Sequence, residues 1–350
     1  MSTLVLRPAV PADADALWLL LAASKGETVG MGLPADGDAV ADRCSETEAT
    51  VVALATGRFR LGPQGRSRML FVIADGDDVL GVTGCTFKVD YPNVAVGVET
   101  DRTGRGLTMH SASAPWTRTE LDSSFLGAPA RGRGAGTLLS RGRLMFLHLV
   151  APQVPTTLVS HLRGRFDDTG SAPFWGHYGR HFMPQWPTSR HAEQALRDDP
   201  TQLAALSEWI HPLTADVLPS IGPVNEASLP AFRLLLREGL QPTGMFDPID
   251  GGPTVVADLA DTATARSRRH GRIDPAMTTA DGAVDALVCR AAIDSFRVVR
   301  TAVGIGDDEL VGLPADAADS LGVIGGDLVV AAPLTAHQGE PPHEEARNGG

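Results

Sequence analysis

Six residues, Arg131-Gly132-Arg133-Gly134-Ala135-Gly136, constrain this chain most because of what flanks them. Before them, Glu120-Leu121-Asp122-Ser123-Ser124-Phe125-Leu126 has the length and aliphatic ends of a buried strand. After them, Leu138, Leu139, Met145, Phe146 and Leu149 are spaced as one apolar face of a helix. A strand, an arginine- and glycine-rich turn and a helix start together form an anion site. Unpaired N–H groups and the positive end of the helix dipole face the turn. Glycines admit a pyrophosphate close to the backbone, and Arg131 and Arg133 add charge-assisted donors. A plain glycine-rich turn with solvated arginines, or another nucleotide loop, would share this pattern. The turn lacks the Gly-Lys-Ser/Thr ending of a P-loop, and it lies too far along the chain for an N-terminal dinucleotide unit.

The chain's 350 residues fit one large or two ordinary domains, and 43% hydrophobic content reads as soluble and globular. A net charge of −12 argues against nucleic acid and against anionic membrane surfaces as partners. The local exception, Arg266-Ser267-Arg268-Arg269-His270-Gly271-Arg272, reads as a solvated linker, with a phosphate contact as the alternative. Cys44, Cys85 and Cys289 are odd in number and far apart, so neither a metal site nor a disulfide framework is expected. Met1 to Leu6 carries no leader pattern and no apolar run approaches ~20 residues, which predicts a cytoplasmic protein.

Leu4 to Ala9 reads as a first strand, and Asp13 or Asp15 as the cap of a helix reaching Ala23. Met69–Ile73 and Val79–Val89 read as strands joined at Asp75-Gly76-Asp77-Asp78. The helix after the turn runs to about Val150, and Thr156–Leu162 is the next strand. Asn225-Glu226-Ala227-Ser228 can start a helix ended by Gly239, followed by a strand from about Gly244. Residues 260–285 read as a linker. The Val-rich runs of 286–334 suggest a small β-barrel, and 335–350 a disordered tail.

The Arg-x-x-Gly-x-Gly spacing resembles the coenzyme A loop of the GNAT acyltransferases, and the order of elements over 1–185 is similar to theirs. Longer islands resemble the arginine N-succinyltransferases: Glu120-Leu121, Phe125-Leu126, Leu138 to Arg143, Arg163-Gly164, Pro173-Phe174-Trp175, Gly179 to Phe182, Ile221-Gly222 and Asp250-Gly251-Gly252-Pro253-Thr254. The resemblance implies an α/β (α+β) protein. A GNAT-like domain over 1–185 would be completed by a GNAT-like second block over 186–260 that forms the acceptor pocket, with the small barrel as a C-terminal appendage. It implies acyl-CoA, succinyl-CoA in the type enzyme, as co-substrate without a metal, a small-molecule amine as acceptor, and a homodimer. A carrier-protein thioester as donor, and a CoA-binding regulatory homologue, are the alternatives. The chain departs from the family where a proton-donating histidine is expected: Asn225 stands there, either as a helix cap or as a group that orients a carbonyl or water.

By the same resemblance, Ser124, Phe125 and Leu126 lie along pantetheine and the thioester, with an inward-facing small residue as the plainer reading of Ser124. Arg131, Arg133, Gly134, Ala135 and Gly136 hold the pyrophosphate. A base for the amine could come from His161, His181 or His211, of which His211 and His161 rank first. Glu120, at the start of the strand, is the candidate carboxylate. Arg163, Asp247 and Asp250 could read the acceptor, although turn formation explains the two aspartates equally well. Tyr178 could protonate the thiolate or pack a helix.

Overall fold

A computed structural model of the chain describes residues 3–23, 33–34, 36–61, 65–101, 104–179, 184–198, 210–212, 218–277, 283–306 and 309–334. Along 90–115, 196–198, 210–212 and 218 it describes the backbone alone. Thirteen strands form one sheet in the order β10-β13-β9-β12-β11-β1-β2-β3-β7-β8-β5-β4-β6, with β3 also paired to β4 and β10 to β11. Mixed strands with helices on the sheet are the α/β arrangement expected.

The first strand, β1 (Val5–Pro8), pairs with β2 (Arg66–Asp75). Asp13 does not act as a simple cap for the helix that follows, α1 (Ala14–Ala23). Its carboxylate accepts from the Val10 N–H and takes both Arg7 guanidinium nitrogens, at 2.7 and 2.8 Å. The next helix, α2 (Gly37–Ala55), has Asp36 as its cap and lies on β2. From β2 the chain turns at Gly76 (φ +61°) into β3 (Asp78–Asp101), which returns as β4 (Gly104–Leu126). The short strands expected at 79–89 and 120–126 are therefore the inner halves of one long hairpin.

The helix α3 (Ala135–Val150) crosses the sheet and is the centre of the core. Its Phe146 meets Phe71 edge-on at 5.2 Å and Phe296 at 5.0 Å. After it, β5 (Thr157–His161) runs parallel to β4 on one side and antiparallel to β8 (Pro253–Asp258) on the other. Helix α4 (Ser189–Asp198) and the short β6 (Ile210–Pro212) precede the second block. There Asn225 caps a helical turn leading into α5 (Leu229–Glu238), which Gly239 ends at φ +101°. Strand β7 (Gln241–Phe246) begins earlier than expected, since Pro242 on its course disguises it.

Residues 260–285 are not a linker. They hold α6 (Ala263–Ser267) and β9 (Arg269–Ile273). Only Gly271 and Ile273 of β9 point inward, so a charged outer face hid the strand. With β10 (Val284–Arg290), β11 (Val298–Ile305), β12 (Leu310–Gly312) and β13 (Leu328–Pro333), β9 closes a five-stranded barrel. The barrel joins the main sheet through β11 and β1, with Val5 opposite Val299. Residues 335–350 and His181 lie outside the described residues.

Candidate active site

Strands β4 and β5 pair only at Thr119↔Leu158 and Glu120↔Val159, and then part. The ladder is replaced by one side chain, Ser160, whose hydroxyl donates to the Leu121 carbonyl at 2.9 Å. Beyond it β4 and β5 form no further ladder pairs among the described residues. This opening sits between the anion turn at one end and a buried charge cluster at the other.

The cluster occupies the crotch of the two strands. Glu120 bonds Lys88 Nζ at 2.6 Å and Arg118 at 2.8 Å, and its Oε1 lies 3.7 Å from His161 Nε2. Burial pushes the Glu120 carboxyl up, but Lys88, His161 and Arg118 outweigh it and hold the group well below its ordinary value. Glu120 is thus a weak base. It is placed instead to orient and balance His161, whose Nδ1 lies 3.0 Å from Thr254 Oγ1 on β8. The His161 side chain remains 31% exposed, so the ring has both a fixed orientation and access to solvent.

At the other end, Gly127 to Gly134 turn the chain into α3. Gly132 and Gly134 both have positive φ, +78° and +76°, which favours glycine at each. The first helical bond runs from the Leu138 N–H to the Gly134 carbonyl, which leaves the N–H groups of Ala135, Gly136 and Thr137 outside the helical ladder. Arg133 reaches back to Asp75 at 2.9 Å, and Arg131 Nε donates to the Leu126 carbonyl at 3.4 Å. A third arginine comes from the barrel: a side chain at Gly134 would fall on the Arg300 guanidinium. Arg300 is held by Asp285, with Nε 3.0 Å from Oδ1.

Ser124 Oγ lies 2.9 Å from Thr83 Oγ1, in the same open stretch of β4 as Phe125 and Leu126. Asn225 Oδ1 accepts from the Ala227 N–H at 3.0 Å, while the Asn225 N–H donates to the Arg163 carbonyl at 2.8 Å. The cap reading therefore accounts for the amide oxygen, and the backbone bond brings Asn225 beside the chain leaving β5. Arg163 is bound to Glu193 at 3.1 Å and lies over Phe166 at 4.3 Å. Asp247 Oδ1 accepts from the Ile249 and Asp250 N–H groups, and Asp250, 3% exposed, accepts from Gly252. Both aspartates build the turn here, with Asp250 buried and Asp247 half-buried. Burial and then Asp247 push Asp250 up to about 8. Tyr178 is buried and stacks on Phe174, which favours packing.

His211 lies on β6, where its backbone pairs with Leu107 in the outer half of the long hairpin. Lys88, Arg118, Thr254 and Arg300 are functional candidates the sequence reading missed. One signal was available: Lys88 is one of two lysines in a chain whose other cations are arginines, and it falls inside an apolar strand. Among the described residues no cluster could hold a metal ion, and no helix is long and apolar enough to cross a membrane.

Comparison with known proteins agrees with this fold. A family described as arginine N-succinyltransferase beta subunit matches residues 4–264, and the C-terminal domain of that subunit matches 269–333. A relative from Yersinia enterocolitica named arginine N-succinyltransferase is 32% identical over 220 residues, covering 60% of this chain and 62% of its own length. One of the same name from Photorhabdus laumondii is 28% identical over 298 residues, 78% of this chain and 83% of its own. The structure of arginine/ornithine succinyltransferase subunit AI from Pseudomonas aeruginosa has the same fold. Its TM-score is 0.78 at 22% identity, over 96% of this chain and 100% of that one. With both models together matching nearly the whole described chain, the protein belongs to the arginine N-succinyltransferase beta subunit family.

Proposed function

We propose that this chain is an acyl-CoA-dependent N-acyltransferase, carrying an acyl group such as succinyl from coenzyme A to the amine of an amino acid or related small molecule. The amine nitrogen attacks the thioester carbonyl, the C–N bond forms, the C–S bond breaks, and the amine's proton must leave. The observation that carries this reading is His161, set at the crotch of the splayed strands with Nδ1 on Thr254 and Glu120 behind Nε2. The imidazole stands between Thr254 Oγ1 at Nδ1 and the Glu120 carboxylate toward Nε2, so the ring can take that proton and the Glu120 charge then balances the imidazolium. The open edge of β4 would hold pantetheine and the thioester, and the turn at 131–136 the pyrophosphate. Asn225 has no titratable group, so it caps α5's leading turn while the proton goes elsewhere. The divergence at this position fits an acceptor other than arginine.

The test is a mass-spectrometric screen of acyl-CoAs against amino acids, followed by His161→Ala. Turnover should fall by ~10²–10⁴ while coenzyme A affinity stays within threefold, because proton transfer and donor binding use separate parts of the site. Undiminished turnover in that variant would remove His161 as the base. Tight coenzyme A binding with no acyl transfer to any amine would favour a regulatory protein instead.

A further inference from the structure

Strand β4 breaks register with β3 just before the anion turn. Phe125 faces Val82 and Asp122 faces Gly84, so Ser123 and Ser124 both stand against Thr83. This is a β-bulge, and Ser123 takes a left-handed conformation at φ +55° that a non-glycine residue holds only under constraint. We propose that Arg143, with Asp122 and Thr86, is the positioning unit that fixes this bulge and so decides which peptide groups of β4 face the thioester. The inference rests on the acyl-transfer reading above.

The geometry singles out Arg143. It comes from the middle of α3, is 3% exposed, and points its Nη1 at two carbonyls, Gly84 at 2.8 Å and Asp122 at 3.2 Å. One guanidinium group thus holds both strands at the base of the bulge. Asp122 completes the unit, since its Oδ2 accepts from Thr86 Oγ1 at 2.6 Å. Its Oδ1 is buried without a partner, as is Arg143 Nε. Gly84 leaves room for them: an added Cβ would lie 2.7 Å from Asp122 Oδ1 and 3.0 Å from both the Met69 carbonyl and Ser123 Cβ.

Such a unit is a poor way to gain stability. Arg143 and Asp122 are opposite charges buried without a direct side-chain contact, each with an unsatisfied atom, and such buried charges are commonly replaced together by apolar side chains at little cost. What it does supply is phase. The Gly127 N–H returns to the Leu80 carbonyl, so strand alternation turns the Leu126 peptide toward the opposite edge, where β5 has ended. Removing the extra residue of the bulge would slip that alternation by one position and turn those groups away. The helix that carries Arg143 also begins at Gly134, so a single rigid element sets both the bulge and the anion turn. Pyrophosphate and thioester are thereby held at a fixed separation.

The test compares Arg143→Met, Arg143→Lys and the double variant Arg143→Met/Asp122→Leu with the unaltered protein. The double variant removes both buried charges together, so it should be more stable than Arg143→Met, which leaves the Asp122 carboxylate buried without a counter-charge. Its coenzyme A dissociation constant should stay within threefold. Its kcat should fall by ~10²-fold or more, the scale of a lost oxyanion donor, and Arg143→Lys should recover part of that loss. A crystal structure of the double variant should show Ser123 at negative φ. A well-folded double variant with kcat within threefold of the unaltered protein, or one that keeps the bulge unchanged, overturns the inference. If the unaltered protein transfers no acyl group, the acyl-transfer reading fails, and the crystal structure still decides whether Arg143 fixes the bulge.

Discussion

Gly132 and Gly134 offer a matched pair for testing the anion turn. Their φ values, +78° and +76°, are nearly equal, so alanine at either should cost about 1 kcal/mol in backbone strain. Their surroundings differ. Nothing lies within 4 Å of a Cβ at 132, whereas at 134 the new carbon falls on Arg300 Nη1, with Arg300 Cζ at 3.4 Å and Cδ at 3.6 Å. Gly134→Ala must therefore push the guanidinium off the turn and disturb its pairing with Asp285. That exposed pair, with side chains 40% and 48% accessible, adds at most about 1 kcal/mol to the stability loss. The effect on donor binding should be larger. A charge-assisted contact to phosphate contributes ~1.5–3 kcal/mol, so displacing Arg300 should weaken coenzyme A binding by roughly 10-fold or more. Gly132→Ala should weaken it by less than threefold. Isothermal titration at constant salt, with urea melts as the stability control, measures both terms. Arg300→Ala should reproduce the Gly134→Ala loss, and combining the two should add little. Equal affinities for the two alanine variants would show that Arg300 does not reach the bound anion. Unchanged affinity in all of them would take the donor site away from this turn.

Asp250 predicts a pH dependence whose sign follows from its folded value of about 8 against 3.8 unfolded. The fold favours the protonated carboxyl, so this contribution is complete below pH 4 and is lost as pH rises toward 8. Urea melts at pH 5, 7 and 9 should show Asp250→Asn flattening that decline. Asn225→Ala should cost about 1 kcal/mol of stability through the lost cap and leave turnover within threefold. A turnover loss of ~10²-fold would instead place the amide against the reacting carbonyl.

What could be read along the chain was whatever depends on near neighbours. The turn at 131–136, the helix behind it and the cap at Asn225 are set by residues within a few positions of one another, and their spacing carried them. Glu120 shows the limit. Its place on the strand and Arg118 two residues before it were legible, but its chemistry also depends on Lys88, a diagonal position fixed by the register of the hairpin. Thr254 reaches His161 only through the pairing of β5 with β8. The bulge is harder still to read, because it is a difference of one residue between two strands. The pair Ser123-Ser124 hints at it only when its partner Thr83 is known. Strand β9 failed for another reason: barrel curvature asks for only two inward positions, and the three polar residues outside them looked like solvent-exposed chain.

The barrel was expected as an appendage, and its contacts argue that it shares a core with the acyltransferase domain. Phe296, 2% exposed, belongs to the barrel segment between β10 and β11, yet it packs edge-on against Phe146 of α3. Phe146 in turn meets Phe71 of β2, so three aromatic rings cross from barrel to helix to sheet. Leu287, Val298 and Val330 of the barrel fall in the same buried cluster as Leu138, Met145 and Leu158. Strand β1 continues the sheet between them, and Arg300 leans on the turn. Phe296→Ala should therefore destabilise the whole protein by ~3–5 kcal/mol, the usual range for emptying such a site. The barrel and the donor site should unfold together, seen as coincident urea transitions by circular dichroism and by coenzyme A binding. An independent appendage would give two transitions, with only the barrel's displaced and coenzyme A binding intact after it. In a shared core, the anion turn loses its support along with the ring at 296.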